Sequence, residues 1–484
     1  MISRIVVVQI FTVALTTVFS AAVAKPTSEI PQRREFPIHD KIKPCQDFYQ
    51  HACGKVIDSF KLRDDRSYHA FAFSDSAERL LETKKEFLAG IAQEKNLTPR
   101  GQTLAQVYGA CTNEKARTKE EKSLVQQTVA AVSRLQDRKA LLDFVGEQVD
   151  SANFSFVAFG AYPNQEDSDW NDIFLDVQFQ TLPERSYYED EKMMASYQAL
   201  LAEFFKTVEF SKKPDALAKA IVKMETQFAA TYPLPAEFRE IINKPTSISR
   251  ADLIKKFPEF RLADFLKRIP KRTLIRDLMP MAFAKAKDIM AKTPLETLQG
   301  FYLYRELSPY LDDAYPAFYQ KKFDFRHDYL GGPAKRPDRA ERCTRLVMRK
   351  YAKEIDYELV DRVFPGFPEK KFVALAEKVR QAIISGIESN QWLSKKGKQG
   401  AIEKMKTAEL MLVKPHNDKE WDFNPLLKYD LQKPIANSKK LAKALNDKKI
   451  KELSEKRYKR RWLMGPLTVN AYYVPSANQF VMPI

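Results

Sequence analysis

Apolar positions along most of this chain recur with the period of a helix. Leu104, Val107, Tyr108 and Cys111 fall at i, i+3, i+4 and i+7, which places Cys111 on a buried helical face. Thr118 and Glu121 form a capping-box pair, so a helix is expected to start there and to carry Leu124, Val125, Val129 and Val132. Two runs break the period. Phe154 and Phe156 alternate with polar or small residues. Ile173, Leu175, Val177 and Phe179 alternate too, with Phe174 the one apolar exception, and the two runs predict a hairpin or a small sheet. Helical periodicity resumes near Ser186 and continues to about Ala291. Another long helix begins around Phe372, Val373 and Leu375 and is expected to end near Trp392, and Ser394 caps a further one expected to reach Met411. Residues 469–484 read as a strand, a Pro-Ser turn and the start of a second strand. The expected fold class is mainly α (α+β), with no repeat at a fixed period.

Composition agrees with this picture. The chain has 484 residues, 44% of them apolar, enough for a sizeable core. Glycine is scarce at 14, which favours long helices over tight-turned sheets. Residues 1–24 stand apart: Arg4, a mostly apolar stretch over 5–23, and Ala22-Val23-Ala24 as a small-x-small cleavage pattern. They read as a secretory signal, with an uncleaved signal anchor in the plasma membrane as the alternative. The mature protein is therefore expected to be secreted and extracellular, where its four cysteines are disulfide candidates. Asn96-Leu97-Thr98 and Asn153-Phe154-Ser155 are glycosylation sequons, making Asn96 and Asn153 candidate glycan sites. Residues 25–43, rich in Pro and charge, read as a linker.

The net charge of +17 favours acidic partners and, in an exported protein, no nucleic acid. Much of it lies in the run from Ser438 to Arg461. That run is either a contact for an acidic surface or a solvated helix face, with Leu441, Leu445, Ile450 and Leu453 on the buried side.

Several motifs carry a specific likeness. Pro44-Cys45-Gln46-Asp47-Phe48-Tyr49-Gln50-His51-Ala52-Cys53-Gly54 closely resembles the opening signature of the neprilysin and endothelin-converting-enzyme family of zinc metallopeptidases. The segment from Leu104 to Glu114, Leu182-Pro183-Glu184-Arg185-Ser186-Tyr187-Tyr188, Arg342-Cys343, Asn390-Gln391-Trp392-Leu393 (resembling the family's tryptophan helix) and Val469-Asn470-Ala471-Tyr472-Tyr473 with Asn478-Gln479 continue the resemblance. One departure is Lys55-Val56, where the family usually has Gly-Trp. The resemblance implies a large multi-helix region over 44–420, a basic helical connection over 421–468, and over 469–484 the truncated start of a thermolysin-like catalytic subdomain. Full members hydrolyse extracellular peptides with zinc held by a His-Glu-x-x-His helix and a later Glu, the first Glu serving as general base.

That ligand set is not in this sequence. The five histidines are His39, His51, His69, His327 and His416; none precedes Glu, and no two stand three or four apart. His327 and His416 are expected in loops. No catalytic residue, metal ligand or cofactor is thus expected in this chain, with zinc reserved for full-length members. By the same resemblance, Asn470 and Ala471 would grip substrate backbone, although the segment is also readable as an ordinary strand with an unpaired edge. Cys111 would pair with Cys343. Cys45 and Cys53 would pair, in the family, with cysteines this sequence does not contain. If residues 47–52 are helical, the two lie about 12 Å apart along the axis, too far for a mutual bond, so they are expected to be unpaired or intermolecular. Tyr472, Tyr473, Phe480, Val481 and Met482 are expected to face a core absent from the chain, leaving an apolar strand for a partner to cover. Two readings remain: a non-catalytic relative that binds peptides or a protein partner, and the front part of an active zinc endopeptidase.

Overall fold

Helix starts are written into the chain as side-chain caps. Thr98, Asn113, Asp137, Asp190, Asp338 and Ser394 each accept a hydrogen bond from the backbone N–H three residues on. Pro99, Pro214, Pro280, Pro316 and Pro434 occupy first helical positions, where no N–H is needed. The computed structural model describes residues 33–277 and 279–484; the leader expected at 1–24 and the first residues of the 25–43 linker lie outside the described residues. The fold is mainly helical with few strands. Among the described residues, no helix is long and apolar enough to cross a membrane.

The hairpin consists of β1 (Val157–Pro163) and β2 (Asn171–Val177), antiparallel with Val157 opposite Val177 and Pro163 opposite Asn171. Phe154 and Phe156 lie just before the strand rather than in it. Gly160 faces the Phe174 ring, which a Cβ would meet at 2.2 Å. Two three-residue strands, β3 (Thr246–Ile248) and β4 (Ile275–Asp277), extend the sheet in the order β1-β2-β4-β3. Both fall inside the region read as continuously helical. They are too short to carry a legible alternation.

The sheet belongs to a large core of Phe, Tyr, Leu and Ile drawn from residues 125–325, joined by Ile450 and Leu453. The Leu-Pro-Glu-Arg-Ser-Tyr-Tyr element has a structural task there. The Tyr188 hydroxyl donates to buried Glu225 at 2.6 Å and accepts the N–H groups of Thr181 and Leu182. Burial pushes the Glu225 carboxyl up.

The capping box expected at Thr118 and Glu121 is not one. The helix Glu114–Ser133 starts earlier, with Asn113 as its cap, and Thr118 lies within it. Glu121 is fully buried and accepts the N–H groups of Asp312, Asp313 and Ala314, a loop distant in sequence. Its task is tertiary, which a local pattern cannot reveal.

A second core joins the helices Phe73–Gly90, Pro99–Thr112, Arg339–Lys350 and Ala352–Val363 with Tyr429, Leu441 and Leu467. The Cys111–Cys343 disulfide ties two of these helices across a sequence separation of 232. Between the other two of these helices, Lys84 and Asp356 form a buried ion pair at 2.6 Å, with side chains 4% and 0% exposed. Asp356 Oδ2 accepts the Leu467 N–H at 2.8 Å, and Lys84 Nζ donates to the Leu467 carbonyl at 3.3 Å. The chain passes so close that a Cβ on Gly465 would sit 2.1 Å from Asp356 Oδ2. One charge pair thus holds two helices and the strand-bearing tail together.

Removing one partner leaves a buried charge uncompensated. Asp356→Ala is expected to cost about 3–5 kcal/mol, and Lys84→Met with Asp356→Leu to recover much of it. Denaturant unfolding of both variants checks this; equal losses would show that charge compensation is not what the pair supplies. Cys111→Ala with Cys343→Ala is expected to cost about 2–5 kcal/mol. Reductant should lower the unfolding midpoint of the parent chain to that of the variant and leave the variant unchanged.

Candidate functional site

The residues expected to contact a peptide lie beside a small C-terminal sheet. It comprises β5 (Glu409–Val413), β6 (Tyr472–Val474) and β7 (Gln479–Pro483) in the order β5-β7-β6. β5 corrects the expected helix through Met411: the helix capped by Ser394 ends at Thr407, and Met411 is in a strand. β7 pairs in parallel with β5, Glu409 opposite Gln479, and antiparallel with β6, Tyr472 opposite Val481.

This pairing corrects the expectation of a strand without a core. β7 is central, and alternation buries Gln479, Val481 and Pro483 while Phe480 and Met482 point outward, 39% and 45% exposed. Val481 packs with Met411 and Trp462, and Tyr472 and Val474 flank them. The core for this face is supplied by β5 and Trp462, which the reading of the tail in isolation did not include. The turn between β6 and β7 is fixed by Asn478, left-handed at φ 49°. Its amide nitrogen donates to the Lys404 carbonyl and Thr407 Oγ1, and its oxygen accepts from the Tyr473 hydroxyl at 2.9 Å. Gln479 donates to Glu409 at 2.6 Å, and Arg460 pairs with both Glu409 and Glu420.

Asn470 and Ala471 are exposed and immediately precede β6, which starts at Tyr472. They stand three and four residues after Leu467, the residue clamped by Lys84 and Asp356. The Asn470 side-chain oxygen accepts the Ala471 N–H at 2.8 Å. Its amide nitrogen has no partner among the described residues and is a free donor next to an edge strand. The arrangement can offer a donor to a peptide carbonyl and a strand edge for backbone pairing. No local pattern points to the clamp behind it, because Lys84 and Asp356 stand 272 residues apart and meet only on folding.

An apolar stripe lies on a helix that reaches β5 through Val373, Glu377 and Arg380. The helix Glu369–Ser389 buries only Ile384, leaving Leu375, Val379 and Ile383 exposed at i, i+4 and i+8. Trp392 is 81% exposed. The segment around it is not the tryptophan helix that the resemblance implied but a turn, in which Asn390 Oδ1 accepts the N–H groups of Trp392 and Leu393.

The other expected residues are scattered. Cys45, exposed, and Cys53, half-buried on the helix Phe48–Ser59, carry free thiols. Asn96 is exposed in a left-handed turn at φ 63°. Asn153 is exposed, but its amide donates to Gln148 at 2.9 Å and accepts from Lys439 at 2.9 Å. In the run from Ser438 to Arg461, the helix Pro434–Glu452 buries Leu441 and Ile450. Lys439, Lys448, Lys459, Arg460 and Arg461 hold carboxylates of this same chain.

The histidines do not converge. His51 Nδ1 lies 2.6 Å from the Ile42 carbonyl, His69 lies 3.0 Å from Asp75, and His416 lies 3.2 Å from Glu369. His327, expected in a loop, is on the helix Pro316–Leu330 beside the Gly332 carbonyl. Among the described residues, no group of three or more His, Cys, Asp or Glu side chains is placed to hold a metal ion.

Comparison with known proteins places this geometry. The chain is 23% identical over 482 residues to human endothelin-converting enzyme-like 1, covering 91% of this chain and 60% of that protein. It is 21% identical to mouse membrane metallo-endopeptidase-like 1, covering 91% of this chain and 62% of that protein. It thus spans about three fifths of the length of these curated relatives. The crystal structure of Mycobacterium tuberculosis zinc metalloprotease Zmp1 with an inhibitor shares the fold at a TM-score of 0.79 and 20% identity, over 93% of this chain and 70% of that one. PepO from Lactobacillus rhamnosis shares it at a TM-score of 0.79 and 15% identity, over 91% and 71%. The family model described as peptidase family M13 matches residues 44–415, most of the sequence. The chain belongs to peptidase family M13, the neprilysin-like zinc metallopeptidases.

Proposed function

We propose that this chain is a secreted peptide-binding member of the family that does not itself hydrolyse peptides. One observation carries this reading: within its 484 residues no histidine precedes Glu and no two stand at helical ligand spacing. The exposed Asn470 amide nitrogen beside the β6 edge supports a role in holding an extended peptide. Its partners are extracellular peptides, or a protein that covers the outward Phe480 and Met482 together with the stripe of Leu375, Val379 and Ile383. The apolar stretch at 5–23 supports export, by a cleaved leader or as an anchor in the plasma membrane.

A second reading rests on a different observation. The relatives named above extend well beyond the span matched here, which supports the view that these residues are the front part of an active zinc endopeptidase.

The purified 484-residue chain, supplied with zinc, is expected to bind but not cleave quenched fluorogenic peptides. Turnover abolished by a chelator would overturn the first reading. Asn470→Ala is expected to weaken peptide binding by roughly two- to tenfold, the worth of one net hydrogen bond. Sequencing the transcript past the Ile484 codon separates the readings, since an in-frame His-Glu-x-x-His establishes the second.

A further inference from the structure

A cavity of about 620 Å³ lies against the disulfide, lined by Cys111 and Cys343 themselves, between the helices Pro99–Thr112, Pro316–Leu330 and Arg339–Lys350. Its walls are crowded with cations. Some are neutralised by this chain: Arg117 by Glu121 at 2.6 Å, Lys322 by Asp312 at 2.6 Å, Arg339 by Asp313 at 2.7 Å and Arg345 by Glu341 at 2.7 Å. Others are not. Arg326, Arg342, Arg349 and Lys350 line the same cavity, and none has a carboxylate partner among the described residues. The Arg342 guanidinium donates one hydrogen bond among the described residues, to the Pro337 carbonyl at 3.1 Å.

The uncompensated charge is felt locally. Burial and the neighbouring Arg336 and Arg339 push Arg342 down from its ordinary value. Partial desolvation, Arg345 and Arg326 do the same to Arg349, and partial desolvation, Arg349 and Arg117 to Lys350, although both residues remain exposed at the rim. Like charges held this close raise the energy of the empty site and lower the cost of admitting an anion.

We propose that this cavity binds an acidic peptide segment through Arg326, Arg342, Arg349 and Lys350. Arg342 and Arg349 are seven residues apart on one helix face, about 10.5 Å along the axis. One phosphate or carboxylate does not span that distance. An extended peptide rising about 3.3 Å per residue brings acidic side chains a few residues apart to it. Between the cations, Val107, Tyr319, Phe323 and Leu346 line the cavity and offer apolar contact to the intervening residues. The wall bearing Arg342 and Arg349 is set in advance by the bond from Cys343 to Cys111, so little order is lost on binding. The run between Ser438 and Arg461 touches this site only at its first residue, Ser438, and its cations are largely occupied; the proposal does not depend on whether the chain hydrolyses anything.

Fluorescence anisotropy with the full chain tests it. The probe is a labelled short peptide bearing several glutamates between apolar residues, compared with its glutamine counterpart. The acidic peptide is expected to bind about tenfold tighter, with a preference that falls as salt rises. Arg342→Gln with Arg349→Gln is expected to abolish the preference, with folding verified by an unchanged melting curve. Arg326→Gln, on another helix and exposed, is expected to reduce it severalfold and serves if the double variant does not fold. Lys440→Gln with Lys451→Gln, on the exposed helix, is expected to leave it intact. Equal binding of the two peptides overturns the proposal. So does a preference that survives loss of Arg342 and Arg349, or one that disappears with Lys440 and Lys451. Retention on immobilised heparin that requires Arg342 and Arg349, without acidic-peptide binding, reassigns the cavity to a sulfated glycan and equally overturns it.

Discussion

The buried pair of Lys84 and Asp356 is the constraint on which the rest of the architecture turns. Two opposite charges excluded from water are stable only when each is compensated and every remaining hydrogen-bonding position is filled. Here the Leu467 backbone takes one position on each partner, its N–H bonding Asp356 Oδ2 and its carbonyl accepting from Lys84 Nζ, while Asp356 Oδ1 has only the ammonium of Lys84 beside it. Neither helix can shift without stranding a charge, and the tail cannot leave without stranding both. Asn470, Ala471 and the β6 edge are displayed a few residues beyond this clamp, so their placement follows from electrostatics deep in the second core rather than from the small sheet itself.

A common logic governs the other buried acids. Glu121 collects the N–H groups of the 312–314 loop, Glu225 gathers two tyrosine hydroxyls and Thr181, and Glu354 accepts the Asn424 N–H at 2.7 Å. Glu120 does the same for Ile435 and Ala436. Carboxylates in this chain are spent on backbone donors and on structural pairs. With 80 Lys and Arg against 63 Asp and Glu, that allocation leaves cations over, and the fold decides where they collect. The helix Arg339–Lys350 and its neighbours gather several of them around one open cavity.

How much of this was legible in the sequence depended on the range of the interaction concerned. The helix over Leu104 to Cys111, the hairpin and the strand-turn-strand tail were readable because their signals are local: a 3.6-residue period, an alternation, a Pro-Ser turn. β3 and β4 were not, since three residues carry no period. β5 was read as the end of a helix because the short apolar run from Leu410 to Val413 follows the helix before it with no break, although Pro415 and Asn417 mark a turn beyond it; it becomes a strand by pairing with β7, about seventy residues later. The Thr118 and Glu121 pattern misled because a buried acceptor for a remote loop looks, in one dimension, like a cap. For the charge, the sequence drew attention to the dense run ending at Arg461. Folding pairs most of that run and leaves unpaired cations on helices where they are interspersed with Cys343 and Val347.

The long bridge between Cys111 and Cys343 also sets a clock for biosynthesis. A ribosome adding about 5–20 residues per second needs on the order of ten to fifty seconds to cover the 232 residues between them. Throughout that interval Cys45, Cys53 and Cys111 have emerged, and the correct partner of Cys111 has not. If export takes the chain into an oxidising compartment, as proposed above, the first oxidation available to it is a wrong one, among Cys45, Cys53 and Cys111. Native bonding requires either that Cys111 be shielded by early packing of its helix or that a premature bond be reopened, and the two spare thiols keep that exchange route open after synthesis ends.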